Sequence, residues 1–274
     1  MKRKLIALDL DGTTLNNDAV LSPTTIKTIQ QVAAAGHVVS IVTGRPNRIS
    51  QQFYDQLGLK TPMINFNGSL GHLPHRHWDK EYQYTFSRDI VFDLMQHQQE
   101  FDVEAMAAEG KTLFLANQIK PLAYGFFPTA LTQQQLLSQQ SLQQNPTSLT
   151  IALKREAQPR FIAYVRDHYG DLVDVNSWGG PNSVIEMGAK GIQKAIGVEF
   201  LAHLYHINRE DVIAFGDENN DNEMIDYAGT GVAMKNATPH LKMLADDVTS
   251  LTNEENGLAD YLQKAFNLED SVTA

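Results

Sequence analysis

The stretch Leu5-Ile6-Ala7-Leu8-Asp9-Leu10-Asp11-Gly12-Thr13-Thr14-Leu15 decides how the rest of the chain is read. An apolar run ends in two carboxylates two residues apart, then a glycine and two threonines. Residues i and i+2 of a β-strand point the same way. Asp9 and Asp11 are therefore expected to project together from the C-terminal end of a strand, where open α/β sheets place ligands. Carboxylates this close repel each other and need compensation. A divalent cation supplies it, and hard oxygen ligands suit Mg²⁺. The plain alternative is a strand running into an Asp-Gly turn.

Outward from this stretch, strands and helices alternate. Residues 4–8 read as the first strand. Ser22 and Pro23 open a helix as N-cap and first helical residue, Ile26, Ile29, Val32 and Ala33 give it a helical period, and Gly36 closes it. A strand over 37–42 ends in Thr43-Gly44-Arg45-Pro46, a helix through Ile49 and Phe53 ends near Gly58, and a strand over 62–66 ends in Asn67-Gly68. This β-α-β-α-β order implies a parallel sheet with right-handed crossovers. The pattern returns late: helix 194–205, strand 212–215 entering Gly216-Asp217-Glu218-Asn219-Asn220-Asp221, helix 223–228, strand 231–234, helix 238–244, strand 247–251 and helix 258–266.

Residues 85–184 differ in texture. Helical pieces at 90–99, 132–140 and 159–169 mix with short strands at 113–116, 149–153 and 172–176. This suggests an α+β domain inserted into a Rossmann-like α/β core formed by 1–84 and 185–274. The glutamine-dense run 133–144 reads as a solvated helix and loop. No fixed-period repeat is present.

At 274 residues, 42% hydrophobic and 20% charged, the chain can bury a substantial core. It has no cysteine, which excludes thiol nucleophiles, disulfides and Cys-ligated metals and fits a reducing compartment. The apolar run after the basic N-terminus is too short for a signal peptide, and no window approaches a membrane span. A cytoplasmic protein that engages no membrane is expected. A formal charge of −10 argues against a nucleic-acid surface. It leaves room for a small anionic substrate, because a phosphate site needs only local positive potential from a metal, a lysine and helix N-termini.

Four strand ends thus carry polar signatures: Asp9/Asp11, Thr43-Gly44-Arg45, Asn67-Gly68 and Gly216-Asp217 through Asp221. In a parallel sheet they share one edge. Taken together in this order, they make the chain resemble the haloacid dehalogenase superfamily, and within it the Cof-type sugar-phosphate phosphatases with an inserted αββ-type cap. Residues 9–15 match the family's D-x-D-G-T-[TL]-L, Thr43 its Thr or Ser after a strand, and 216–221 its G-D-x-x-N-D. The family's third motif is a lysine. Its pattern places that lysine eight residues after a glutamate; counted from Glu186, it is Lys194 rather than Lys190, although the glycine that usually follows is Ala195 here.

The resemblance implies that Asp9 is the nucleophile, forming an aspartyl-phosphate, and that Asp11 is the general acid and then the base. It implies Mg²⁺ held by Asp9, the Asp11 main-chain carbonyl and Asp217, with Asp221 a direct ligand or a support. Thr43, Gly44, Asn220 and the Leu10 amide would bind phosphate oxygens. Lys194 would neutralise Asp9 and the phosphoryl group; a lysine at a helix start is unfavourable with the helix dipole unless an anion lies nearby. Arg45 and Asn67 are expected to line the site or to support it.

The leading expectation is a Mg²⁺-dependent phosphatase of small phosphate monoesters acting on a phosphorylated metabolite, as monomer or homodimer. A phosphomutase and a nonenzymatic phosphometabolite-binding protein remain as alternatives. His72, His75 and His77 are expected to be solvated in a hairpin rather than to bind metal. Trp178-Gly179-Gly180 reads as a turn, a hinge or a substrate contact, and Glu186 as part of a linker.

Overall fold

The computed structural model describes residues 2–118, 131–177 and 183–268. The chain divides into two compact units, Met1–Tyr82 with Gln193–Ala274, and Gln83–Ile192.

The first unit opens with β1 (Leu5–Leu8), whose four residues are all buried. A strand apolar on both faces belongs in the middle of a parallel sheet. Each of its large side chains contributes about 1.5–3 kcal/mol by burial. Helix α1 (Pro23–Ala34) starts where expected: the Ser22 hydroxyl accepts the Thr25 N–H at 3.0 Å, and Pro23 occupies the first turn. Strand β2 (Val38–Ile41), helix α2 (Asn47–Leu57) with Gly58 as left-handed cap, β3 (Met63–Asn65) and β4 (Leu70–His72) follow. The two-residue β5 (Tyr82–Gln83) falls on the division between the units.

The second unit contains α3 (Arg88–Gln96), β6 (Val103–Glu109), β7 (Phe114–Ala116), β8 (Ser148–Leu153), α4 (Gln158–Tyr169), β9 (Val173–Ser177) and β10 (Val184–Ala189). Its antiparallel sheet has the order β7-β6-β8-β10-β9. Alternate residues (Leu149, Ile151 and Leu153 on β8, Ile185 and Met187 on β10) join Ile90 and Leu94 of α3 and Phe161 and Val165 of α4 in one core.

Three expectations are corrected here. Strand β10 pairs with both β8 and β9, so Glu186 lies inside a sheet, opposite Thr150 and Asn176, and not in a linker; the second boundary of the insert falls after Ile192 rather than at 184. The expected helix 132–140 is a single 3₁₀ turn at Gln133–Gln135, because its glutamines offer no apolar face to bury. Trp178, Gly179 and Gly180 lie outside the described residues.

The chain then returns to the first unit with α5 (Lys194–Tyr205), β11 (Val212–Gly216), α6 (Asn222–Tyr227), β12 (Thr230–Ala233), α7 (Pro239–Leu244), β13 (Asp247–Val248) and α8 (Gly257–Phe266). The core sheet runs β13-β12-β11-β1-β2, parallel throughout. Strand β3 joins it beyond β2 through a parallel Val42–Ile64 bridge and the Thr43 N–H on the Ile64 carbonyl at 3.0 Å. Leu5 pairs with Val212 on one side and Val38 on the other. This register brings the ends of β1, β2, β3 and β11 to one edge.

Candidate active site

At that edge the chain leaves β1 through Asp9, whose N–H is bonded to the Phe215 carbonyl at 3.2 Å, and enters a wide turn over Leu10–Thr14. Thr14 Oγ1 donates to the Asp9 carbonyl. The turn separates the two carboxylates. Asp9 is 5% exposed and points into the protein, whereas the Asp11 side chain is 52% exposed. The strand alternation that would have made them project together stops at Leu8.

Lys194, the first residue of α5 and 1% exposed, donates to Asp9 Oδ1 at 2.6 Å and to Asp221 Oδ1 at 2.7 Å. The anion expected beside a lysine at a helix start is therefore present twice. Lys190 instead pairs with Asp174 at 2.7 Å, within the second unit. Asp221 is fully buried, and its Oδ2 accepts the N–H groups of Asp217 and Glu218 at 3.0 and 3.2 Å. Asp217 accepts from Thr13 Oγ1 at 3.3 Å. Gly12, at φ +66°, stands so close that a Cβ there would lie 2.1 Å from Asp217 Oδ2.

Oxygen atoms of Asp9, Asp217 and Asp221 lie within 4.8 Å of one another. A set of hard oxygen donors with no nitrogen or sulfur among them fits Mg²⁺ in chemistry. The Asp11 carboxylate is not part of this cluster. Its two oxygens are held by Arg45, Nε to Oδ2 at 2.7 Å and Nη2 to Oδ1 at 2.5 Å. The Arg45 guanidinium also packs over the Phe53 ring, 5.4 Å from its centroid.

The electrostatics follow from this crowding. Burial pushes the Asp9 carboxyl up; Lys194 pulls it down and Asp221 and Asp11 push it up again, leaving it at about 7. Burial, with Asp9 and Asp221 beside it, raises Asp217 to about 8. Burial alone would lower the Lys194 ammonium, but Asp221 and Asp9 outweigh it and hold it above its ordinary value.

The remaining expected residues gather on the β2 and β3 side. Thr43 is buried, and its Oγ1 accepts the Arg45 N–H at 3.1 Å. Gly44 lies under the Asn67 carboxamide. Asn220, exposed, donates from Nδ2 to Asn67 Oδ1 at 3.0 Å. Leu10 is buried.

His72 differs from its expectation. It is 1% exposed on β4, with Nε2 2.9 Å from Asn65 Oδ1, and Asn65 Nδ2 in turn donates to the Arg45 carbonyl at 2.8 Å. His75 faces Asp55 at 2.6 Å and is half exposed, and His77 is exposed. One supporting contact left no signal in the sequence: Asn236 Nδ2 donates to the Gly12 carbonyl at 2.7 Å and is itself held by the Asn253 N–H at 2.9 Å.

Residues 6–262 match the model of the haloacid dehalogenase-like hydrolase family. The chain is 37% identical over 270 residues to the 5-amino-6-(5-phospho-D-ribitylamino)uracil phosphatase YitU of Bacillus subtilis, covering 97% of this chain and 99% of that protein. It is 29% identical over 260 residues to the phosphatase YcsE of the same organism, which bears the same substrate in its name, covering 95% and 94%. A haloacid dehalogenase-like hydrolase from Bacteroides thetaiotaomicron superposes with a TM-score of 0.77 at 23% identity, covering 97% of this chain and 100% of that one.

Proposed function

The chain belongs to the haloacid dehalogenase-like hydrolases as an enzyme acting on phosphoric monoester bonds, and from that premise we propose a Mg²⁺-assisted double displacement through Asp9. The observation that carries the reading is Lys194 bridging Asp9 and Asp221 inside a cluster of three carboxylates. Lys194 engages Asp9 Oδ1 and fixes the carboxylate. Among the described residues Oδ2 accepts no hydrogen bond, and that oxygen attacks phosphorus in line.

In the first step the Asp9 oxygen–phosphorus bond forms as the ester oxygen–phosphorus bond breaks, and Asp11, having exchanged one of its Arg45 bonds for a proton from solvent, gives that proton to the leaving alcohol. In the second, water attacks phosphorus, its proton passes to Asp11, and Asp9 is released with inorganic phosphate. Thr43, the Gly44 and Leu10 amides and Asn220 hold the non-bridging oxygens, and Lys194 offsets their charge against Asp9. Asp9, Asp217 and Asp221, with the Asp11 carbonyl, would hold Mg²⁺, which supplies charge neutralisation between carboxylate and phosphoryl group. The ester that this enzyme accepts is inferred from its relatives. Its substrate is a small phosphorylated metabolite, with a phosphorylated ribitylamino-pyrimidine the first to test, given the 37% identical relative.

The test is turnover of an aryl phosphate with Mg²⁺, followed by a panel of phosphorylated metabolites. Asp9→Asn is expected to abolish release of phosphate while the fold persists, and the wild type to trap a hydroxylamine-sensitive phosphoenzyme. Full activity in Asp9→Asn removes the nucleophile assignment. Isomerisation of a sugar phosphate with little phosphate release makes the protein a mutase instead.

A further inference from the structure

We infer that Asn67 is a positioning residue, whose carboxamide fixes Asn220 and seats the Thr43–Gly44 loop so that both present their donors to one phosphoryl group. This rests on the reading above, in which Asn220 and Thr43–Gly44 contact phosphate.

The first observation is an expensive backbone. Phe66, Asn67 and Gly68 follow β3 with φ of 50°, 53° and 101°. Left-handed conformations disfavour any residue with a Cβ, Asn less than most, and for a bulky residue such as Phe they are outliers. Strained backbone persists where the surroundings over-determine it, and it clusters at functional sites.

The second observation is what the turn holds. The Phe66 N–H reaches the Arg45 carbonyl at 3.4 Å, and the Asn67 N–H reaches the Thr43 carbonyl at 3.1 Å, lashing the turn to the loop after β2. Gly68 meets the start of α5, where a Cβ would lie 2.3 Å from the Gln193 carbonyl oxygen, one residue before Lys194.

The third is the side chain itself. Asn67 Oδ1 accepts from Asn220 Nδ2 at 3.0 Å and lies 2.9 Å from where a Cβ on residue 44 would sit. Gly44 shows no positive φ, so its lack of a side chain serves clearance for this carboxamide. Asn220 is exposed, and an exposed side chain held in one rotamer spares the ordering entropy that phosphate binding would otherwise require.

The competing explanation is that asparagine stands at 67 only because it tolerates a left-handed backbone. Asn67→Gly separates the two, since glycine suits that backbone better and removes the carboxamide. The expected result is a Tm equal to or above wild type. KM for p-nitrophenyl phosphate rises about tenfold with kcat within about threefold, and the inhibition constant of inorganic phosphate rises in parallel, as for lost uniform binding. Asn220→Ala should raise KM to a similar or smaller degree, and the double variant should be no worse than Asn67→Gly alone.

If Asn220→Ala raises KM while Asn67→Gly leaves it at the wild-type value, the positioning role is overturned and the site reading stands. If Asn220→Ala itself leaves KM unchanged, the phosphate contact falls and takes the inference with it. A fall in Tm that accompanies the loss of binding in Asn67→Gly, or additive effects in the double variant, would assign Asn67 a structural or independent role and refute the proposal.

Discussion

Lys194→Met keeps much of the lysine's apolar volume and deletes its charge. Lys194 is 1% exposed and sits 2.6 Å from Asp9 and 2.7 Å from Asp221, with the third carboxylate, Asp217, in the same cluster. Removing one member of a buried ion pair leaves the other charge uncompensated, at a cost of about 3–5 kcal/mol. That is a large share of a total stability of about 5–15 kcal/mol. The cost depends on pH, and its sign follows from proton binding. Asp9 and Asp217 have folded-state values of about 7 and about 8, above the ordinary 3.8, so the metal-free folded protein binds more protons than the unfolded chain between those limits. Stability in EDTA therefore falls as pH rises through that window. Lys194 opposes the fall by stabilising ionised Asp9. Without it the decline steepens, and the penalty is expected to approach the full ~3–5 kcal/mol at pH 8.5 and to shrink to about half at pH 5.5. The readout is guanidinium denaturation in EDTA at both pH values. Lys190→Met is the control: its pair with Asp174 is half exposed and is worth less than about 1 kcal/mol. An equal penalty at both pH values would mean lost packing only, and a Lys194→Met protein as stable as wild type at pH 8.5 would refute the electrostatic account.

Three further outcomes are expected. Asp11→Asn should slow phosphoenzyme formation from alkyl phosphates by about 10²–10⁴-fold and from p-nitrophenyl phosphate far less, because its leaving group needs no proton, while hydrolysis of the phosphoenzyme, the step both substrates share, slows equally for the two. Arg45→Met, which deletes the bidentate partner of Asp11 and so favours its protonated form, should shift the alkyl-to-aryl ratio of phosphoenzyme formation in the opposite direction, and an unchanged ratio separates Arg45 from proton transfer. Mg²⁺ binding should release protons near pH 7, where Asp9 and Asp217 are at least partly protonated, and fewer at pH 9. Calorimetry in buffers of different ionisation enthalpy measures this, and a buffer-independent heat at pH 7 contradicts it.

The core elements were legible in the sequence because local rules and burial agree there. β1 is apolar throughout and is buried on both faces, and Ser22-Pro23 and Gly58 cap their helices as their chemistry dictates. The insert was less legible where strands lack a strong period. Glu186 and Gly188 interrupt β10, and only pairing with β8 and β9 makes it a strand. Within the site, residue types placed Asp9, Asp217 and Asp221 at one sheet edge, and the family resemblance, counted from Glu186, singled out Lys194. Side-chain direction was not legible: the parting of Asp11 from Asp9 depends on the Leu10–Thr14 turn, and the burial of His72 depends on its partner Asn65.

Three glycines show why the separate motifs make one site. A Cβ on Gly12 would collide with Asp217, one on Gly216 would lie 2.4 Å from Asp221 Cγ, and one on Gly44 would press on Asn67. The glycine of each strand end thus makes room for a polar side chain that belongs to a different strand end or, for Gly216, to the turn that follows. Gly12 also needs its positive φ; Gly216 and Gly44 do not. Close approach, more than backbone freedom, is what these positions supply. The consequence is mutual dependence: Asp217 can reach the Asp9 cluster only because residue 12 has no side chain, and Asp221 can turn back to Lys194 only because residue 216 has none. A side chain at any of the three would displace a group on another element first, and the damage would appear as lost ligand geometry before it appeared as lost fold.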